Sequence, residues 1–232
     1  MHYKIIEIFD SLEGEGTRQG EPTTFIRMYG CNLNCTWCDT RYACSDPSKA
    51  KQTSLEQILS ECEYGYKNIT LTGGEPLLDY NIVELIAMLI KAGNAVNIET
   101  NGTVELSEVL AKLEKRKAKL KSGLGTLQFT VDYKLPSSGE TDKMLWKNYL
   151  NLTEADSIKF VIGSAIDLEH AEKIIKRITE HYIKEKKSSP TLLISTVYGQ
   201  FCPKELANHM LNNSVFSSVK LQLQLHKQLE LK

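Results

Sequence analysis

The sequence predicts an α/β fold, a partial (β/α) barrel with six or seven parallel strands, formed by residues 1–232 as a single domain. Three observations predict it. Apolar runs alternate with amphipathic helical stretches, the pattern of βαβ units and a parallel sheet. The chain has 232 residues, fewer than the roughly 250 that an eight-unit barrel takes. Short polar, glycine-bearing stretches fall just after the strands: Cys31–Cys38, Gly73–Pro76, Glu99–Gly102, Asp132–Lys134 and Tyr198–Gly199. In parallel α/β folds the carboxyl ends of the strands form one face, where ligands bind. These stretches are therefore expected to converge on one site.

The elements follow in order. Tyr3 to Phe9 alternates as a strand, and Phe25 to Tyr29 is an apolar strand ended by Gly30. Asp46 to Gln52 is a polar connector, and Thr53-x-x-Glu56 reads as a capping box. Leu55, Ile58, Leu59 and Cys62 share one helical face, which makes Cys62 a core residue. Strands are expected at Asn68–Thr72, Ala95–Ile98, Thr126–Val131, Ser157–Ile162, Thr191–Val197 and Val219–Leu225. Helices are expected from Asn81 to Lys91, closed by Gly93, then from a Ser107 cap, and from an Asp167 cap through Tyr182. A short helical stretch covers Lys143 to Leu150, and Pro203 opens a last helix.

Composition excludes several classes. Apolar residues make up 41% and charged residues 25%, as in soluble globular proteins. The net charge of -1 offers no broad basic field for nucleic acid. No apolar run reaches the about 18 residues of a membrane span. The opening M-H-Y-K-I-I-E-I-F-D is too short and acidic for a signal peptide. Six cysteines, three of them clustered, fit a reducing cytoplasm better than secretion.

That cluster is Cys31, Cys35 and Cys38, spaced C-x3-C-x2-C. Thiolates select zinc or iron–sulfur clusters over hard ions. A four-iron cubane held by three thiolates keeps one iron open, and an open metal position is a catalytic feature. The competing reading is a structural zinc site. It lacks a nearby histidine, and Cys44 is its best spare thiol.

Other residues carry weaker signals. S-L-E-G-E-G at Ser11–Gly16 is an acidic loop whose glycines bring backbone close to a neighbour. Arg27 is a charge inside an apolar strand and needs a partner, either Glu13, Glu15 or a substrate carboxylate. Glu99 ends a strand and needs donors, or else a salt bridge to Lys134 or Arg41. The glycines of G-G-E-P let backbone approach a ligand without a Cβ in the way. Thr40 offers a hydroxyl suited to magnesium. Val161, Thr196 and Val197 read equally well as packing, and His226 is ambiguous.

C-x3-C-x2-C, with Trp37 before the last cysteine, resembles the radical S-adenosylmethionine (SAM) superfamily. E-I-F-D-S-L-E-G-E-G, F-I-R-M-Y-G-C-N-L-N-C-T-W-C-D-T, L-T-G-G-E-P and I-E-T-N-G-T then resemble the 7-carboxy-7-deazaguanine synthase family, from Glu7 through Lys134 and again at Gln224–Lys227. The resemblance implies a 4Fe-4S cluster on Cys31, Cys35 and Cys38. It implies S-adenosyl-L-methionine bound along Trp37, Cys38, Asp39, Gly74, Glu99, Asp132, Tyr133 and Lys134, and along Ser195, Thr196, Val197 and Tyr198. It places Mg2+ on Thr40 and substrate on Leu12, Glu13, Gly14, Arg27 and Thr72.

The implied reaction converts 6-carboxy-5,6,7,8-tetrahydropterin to 7-carboxy-7-deazaguanine. A hydrogen leaves C6, the ring contracts, ammonia departs, and SAM is regenerated. A homodimer and a reductant such as flavodoxin or ferredoxin are implied with it. The chain departs from the family at Glu13, where glutamine is common, and at Asp132-Tyr133, where relatives carry Ser-Pro. The competing functions are a glycyl-radical activase and a non-catalytic metal-stapled interaction domain.

Overall fold

The computed structural model describes residues 1–118 and 125–232. In chain order its elements are β1 (His2–Leu12), β2 (Pro22–Met28), α1 (Tyr42–Ser45), β3 (Lys51–Ser54), α2 (Leu55–Glu63), β4 (Asn68–Gly73), α3 (Ile82–Lys91), β5 (Ala95–Thr100) and α4 (Leu106–Lys117). These are followed by β6 (Thr126–Tyr133), β7 (Ser157–Ile162), α5 (Ala165–Glu185), β8 (Thr191–Thr196), α6 (Pro203–Leu211), β9 (Val219–Leu221) and α7 (Leu225–Gln228). The strands form one sheet in the order β3-β1-β2-β4-β5-β6-β7-β8-β9. From β2 through β9 every pairing is parallel, which gives seven parallel strands. β1 runs antiparallel to both β2 and β3. The sheet is open, as a partial barrel requires.

Side chains alternate along a strand, and here the alternation separates two environments. Ile26, Ile69, Leu71, Val96, Ile98, Val131, Ile158, Phe160 and Ile194 join the apolar core with Leu85, Ile86 and Leu89 of α3 and Ile174, Ile175 and Ile178 of α5. The intervening residues of the same strands are Arg27, Thr72, Glu99, Asp132 and Lys159, and all of them line a cavity on the opposite side. The barrel interior at its strand-end mouth is thus polar, and the apolar core lies between sheet and helices.

The loop after β1 closes the interior from below. Gly16 exchanges two hydrogen bonds with the Gln222 side chain, and Gln128 donates to Thr17 Oγ1. Arg18 donates to the carbonyls of Ala95 and Ile69 and to Thr70 Oγ1. Glu13 and Glu15 are carried into the barrel on this loop and are buried there.

Local chemistry moves several boundaries. The capping box of α2 is Ser54 with Gln57, not Thr53 with Glu56: Ser54 Oγ accepts from Gln57 N, and Gln57 Oε1 accepts from Ser54 N. Thr53 instead belongs to β3, an edge strand recruited by backbone pairing with β1 rather than by side-chain pattern. Ser107 lies inside α4, bonded to Glu105. Asp167 is not the cap of α5: Ser164 is, and buried Asp167 accepts from the amides of Ser137 and Gly163. The stretch 143–150 forms 3-10 turns at Thr141–Lys143 and Trp146–Tyr149. β9 stops at Leu221; Gln222 N still bonds Ile194 O, and its side chain bonds Gly16. Cys62 is buried in the core as expected.

Leu85 is wholly buried on α3. Leu85→Ala is expected to cost about 2–5 kcal/mol of stability, seen as a lower urea midpoint with an unchanged m-value.

Candidate active site

The cysteine loop leaves β2 and is seated on the loops that follow β4, β5 and β6. Gly30 accepts from Glu75 N at 2.8 Å, and Gly74 N donates to Met28 O at 3.1 Å. A Cβ on Gly74 would lie 2.0 Å from Gly30 O, and one on Gly73, whose φ is +134°, would lie 2.2 Å from Met28 O. The two glycines are therefore needed for loop-on-loop contact, besides any approach of a ligand. Glu75 is buried and joins this contact to the next loop: its carboxylate accepts from Leu77 N, Thr100 Oγ1 and Asn101 N. Burial outweighs these donors and raises its pKa to about 7.

The loop after β6 holds the other side. Trp37 Nε1 donates to Ser137 Oγ, Thr36 N to Ser138 O, and Asn34 N to Glu140. Lys134 Nζ lies 5.5 Å from the centre of the Trp37 ring and 2.5 Å from Asp132 Oδ2. Lys159 Nζ lies 2.8 Å from Glu15 Oε2 and 3.3 Å from Asp132 Oδ1. Burial alone would neutralise this lysine, but Asp132 and Glu15 reverse that and hold it charged. Asp132 is kept below the usual carboxylate range, against its own burial, by Lys134 and Lys159.

Cys31, Cys35 and Cys38 line one cavity of about 200 Å³ together with Arg27, Thr72, Gly74, Glu99 and Thr40. A neighbouring space of about 360 Å³ shares Glu15, Trp37, Cys38, Asp39, Asp132, Lys134 and Lys159 with the first and adds Val161, Val197 and Tyr198. The Cys31 thiol is pulled down to about 6, first by a hydrogen bond from Cys44 and then by those from Leu33 N and Asn101. Cys44 is pushed far up by Cys31 and by burial. The Cys44 thiol itself donates to the Thr40 carbonyl. Among the described residues, no three His, Cys, Asp or Glu side chains close on a single ion. In a cubane each thiolate binds a different iron, so the three sulfurs do not have to meet at one point.

Most of the expected residues face these spaces, and some differ. Arg27 pairs with Glu7, across the β1–β2 ladder, not with Glu13 or Glu15: Nε to Oε1 is 2.9 Å. No residue among those described accepts from its Nη groups, and its guanidinium stands 5.5 Å from the Phe9 ring. Phe9 stacks on Phe25 at 5.1 Å. Glu99 accepts from Thr72 Oγ1 at 2.7 Å and makes no salt bridge to Lys134 or Arg41. Thr40 Oγ1 lies 3.8 Å from Cys38 Sγ and bonds Gly73 O.

Leu12, Glu13 and Gly14 line the cavity, and His226 packs against Gly14. Tyr133 departs from expectation, because its ring points into the core against Tyr149 and Phe160 and leaves only backbone toward the site. Ser195 is buried with its hydroxyl unpartnered, and Thr196 faces a separate groove. Sequence reading missed Lys159, Glu7, Phe9 and Asn101. Lys159 had a signal, a charge inside an apolar strand, the same one that singled out Arg27.

An open parallel barrel with three thiols at its strand-end mouth is the architecture of a radical SAM protein, and the model of the Radical SAM superfamily matches residues 25–199. A 7-carboxy-7-deazaguanine synthase of Clostridium acetobutylicum is 40% identical over 229 residues, covering 98% of this chain and 96% of its own. One from Methanospirillum hungatei is 37% identical over 231 residues, covering 97% and 84%. This chain belongs to the 7-carboxy-7-deazaguanine synthase family within the radical SAM superfamily. The crystal structure of QueE from Escherichia coli shares the fold, with a TM-score of 0.71 at 22% identity over 97% of this chain and 95% of that one. Membership implies a 4Fe-4S cluster and SAM. The donor set fits: three thiols, one of them readily ionised, beside a space flanked by Trp37, Asp132 and Lys134.

Two outcomes follow from the geometry. Gly74→Ala must displace the Gly30 carbonyl, so iron and sulfide content after anaerobic reconstitution should fall well below wild type. Glu13 is raised from 4.5 to about 8 by burial and by Glu99, which together outweigh the Thr70 hydroxyl at 2.6 Å and Arg18 at 3.8 Å. The fold prefers its protonated form, so that contribution is complete below pH 4.5 and is lost as pH climbs toward 8. Glu13→Gln should remove this decline, at most about 1.4 kcal/mol per pH unit, in urea titrations run from pH 5 to 8.5.

Proposed function

We propose that this chain converts 6-carboxy-5,6,7,8-tetrahydropterin to 7-carboxy-7-deazaguanine with loss of ammonia, as a radical SAM lyase of 7-deazapurine (queuosine or archaeosine type) biosynthesis. One observation carries the reading: proteins called 7-carboxy-7-deazaguanine synthase match it over nearly its whole length. When bound, the cluster would supply the one-electron reduction of SAM.

The chain's own residues do the rest. Cys31, Cys35 and Cys38 would hold the cluster, and Trp37, Asp39, Gly74, Asp132 and Lys134 would hold SAM beside it. Tyr133 contributes backbone only, and Tyr198 and Val197 close the far wall. Arg27, with its Nη groups free and Glu7 fixing its Nε, takes the substrate carboxylate. The Phe9–Phe25 stack offers an apolar face beside the pterin ring. Leu12, Glu13, Gly14 and Thr72 complete the substrate side, with Glu99 held by Thr72.

Thr40, next to Cys38 and the Gly73 carbonyl, would supply a hydroxyl ligand to Mg2+. We read residues 1–232 as one domain that works as a cytoplasmic homodimer with flavodoxin or ferredoxin as reductant. No helix of the described residues is long and apolar enough to cross a membrane.

An anaerobic assay with SAM, dithionite, Mg2+ and the carboxytetrahydropterin, read by mass spectrometry, tests the reaction. The ring-contracted acid is expected, and intact pterin with a fully loaded cluster would sink the proposal. Arg27→Ala should raise the KM for the pterin at least about tenfold, since a charge-assisted hydrogen bond contributes about 1.5–3 kcal/mol.

A further inference from the structure

We infer that Asn101 sets the reduction potential of the cluster by donating a side-chain N–H to the sulfur of Cys31. Asn101 Nδ2 lies 3.6 Å from Cys31 Sγ, and Leu33 N lies 3.4 Å from the same atom. Among the described residues no N–H reaches the sulfur of Cys35 or Cys38; Cys38 Sγ has only the Thr40 hydroxyl, at 3.8 Å. The donors are concentrated on one of the three ligands.

The orientation of the Asn101 amide is dictated by its surroundings. Its Oδ1 accepts from both Thr103 N at 3.0 Å and Thr103 Oγ1 at 2.6 Å. Thr103 Oγ1 in turn accepts from Asn32 Nδ2 at 2.8 Å, and Asn32 Oδ1 accepts from Asn101 Nδ2 at 3.0 Å. The ring Asn101–Thr103–Asn32 closes only with the NH2 toward Cys31, since a flipped amide would set donor against donor at Thr103 N. The Asn101 backbone is anchored separately, through its N–H to Glu75. A buried amide fixed at both ends is a preorganised donor.

Reduction adds negative charge to the cluster, and N–H donors to ligand sulfur stabilise the more negative state and raise the potential. Asn101 thus acts through Cys31, as a positioning residue that eases electron entry. The inference rests on the cluster implied by family membership, not on the identity of the substrate.

The test is a redox titration of anaerobically reconstituted protein, followed by EPR, with no SAM or pterin present. Asn101→Leu and Asn101→Ala both remove the donor without adding charge, and the first keeps the size. Each should lower the reduced-to-oxidised ratio at the wild-type midpoint about tenfold, equivalent to about 59 mV for one electron. Ser137→Ala removes the acceptor of Trp37 Nε1 on the cysteine loop without touching the Cys31 sulfur and should leave the midpoint in place. If Asn101→Leu holds no cluster, Asn101→Ala decides alone. A wild-type midpoint in the deciding variant overturns the inference, as does an equal shift in Ser137→Ala. Failure of the wild type to form any cluster overturns the cofactor assignment and this inference with it.

Discussion

The site depends on one buried carboxylate and one backbone amide, both belonging to Glu75. Its N–H reaches the Gly30 carbonyl, and its side chain binds the hydroxyl of Thr100 and the amide of Asn101. Three strand-end loops, after β2, β4 and β5, are thereby fixed to one another. The contact is possible because Gly73 and Gly74 bring no Cβ between the loops. A buried carboxylate without donors is costly, so loops and carboxylate depend on each other. The cysteines inherit their placement from this arrangement.

The second constraint is the polar lining of the barrel. Glu15, Asp132, Lys134 and Lys159 are all withdrawn from solvent, and each charge faces an opposite one. Removing a single member would leave an uncompensated buried charge, which costs far more than losing the pair together. Such a network holds its members at fixed positions around a cavity whose floor is the loop from Glu13 to Gly20. The apolar core lies on the other side of the same strands, so stability and chemistry are separated by the pleat of the sheet.

The three thiols do not have equal surroundings. Cys31 receives donors from Leu33, Asn101 and Cys44, while burial raises the pKa of Cys35. The protein therefore distinguishes chemically equivalent thiols through the loops that meet them. Arg27 is treated in a similar way across the cavity. Glu7 pairs with its Nε, and the Phe9 ring stands 5.5 Å from its guanidinium.

Much of this was legible in the chain itself. The alternation of strands and helices, the cysteine spacing and the polar stretches after each strand determine a parallel α/β fold with one loaded mouth, because periodicity and strand polarity are local properties. Arg27 and the glycines of G-G-E-P also announced themselves, as residues at odds with an apolar strand or a constrained turn. Only the tertiary structure decided the partners. Glu7, twenty positions before Arg27, meets it through an antiparallel register; Asn101 meets Cys31 across two loops; the ring of Tyr133 turns inward to the core; and the cap of α5 passes from Asp167 to Ser164 because Asp167 is claimed by Ser137 and Gly163. Pairings such as Asn101 with Cys31 and Asp167 with Ser137 depend on which elements come to lie side by side, and no short window of sequence contains both halves of those contacts.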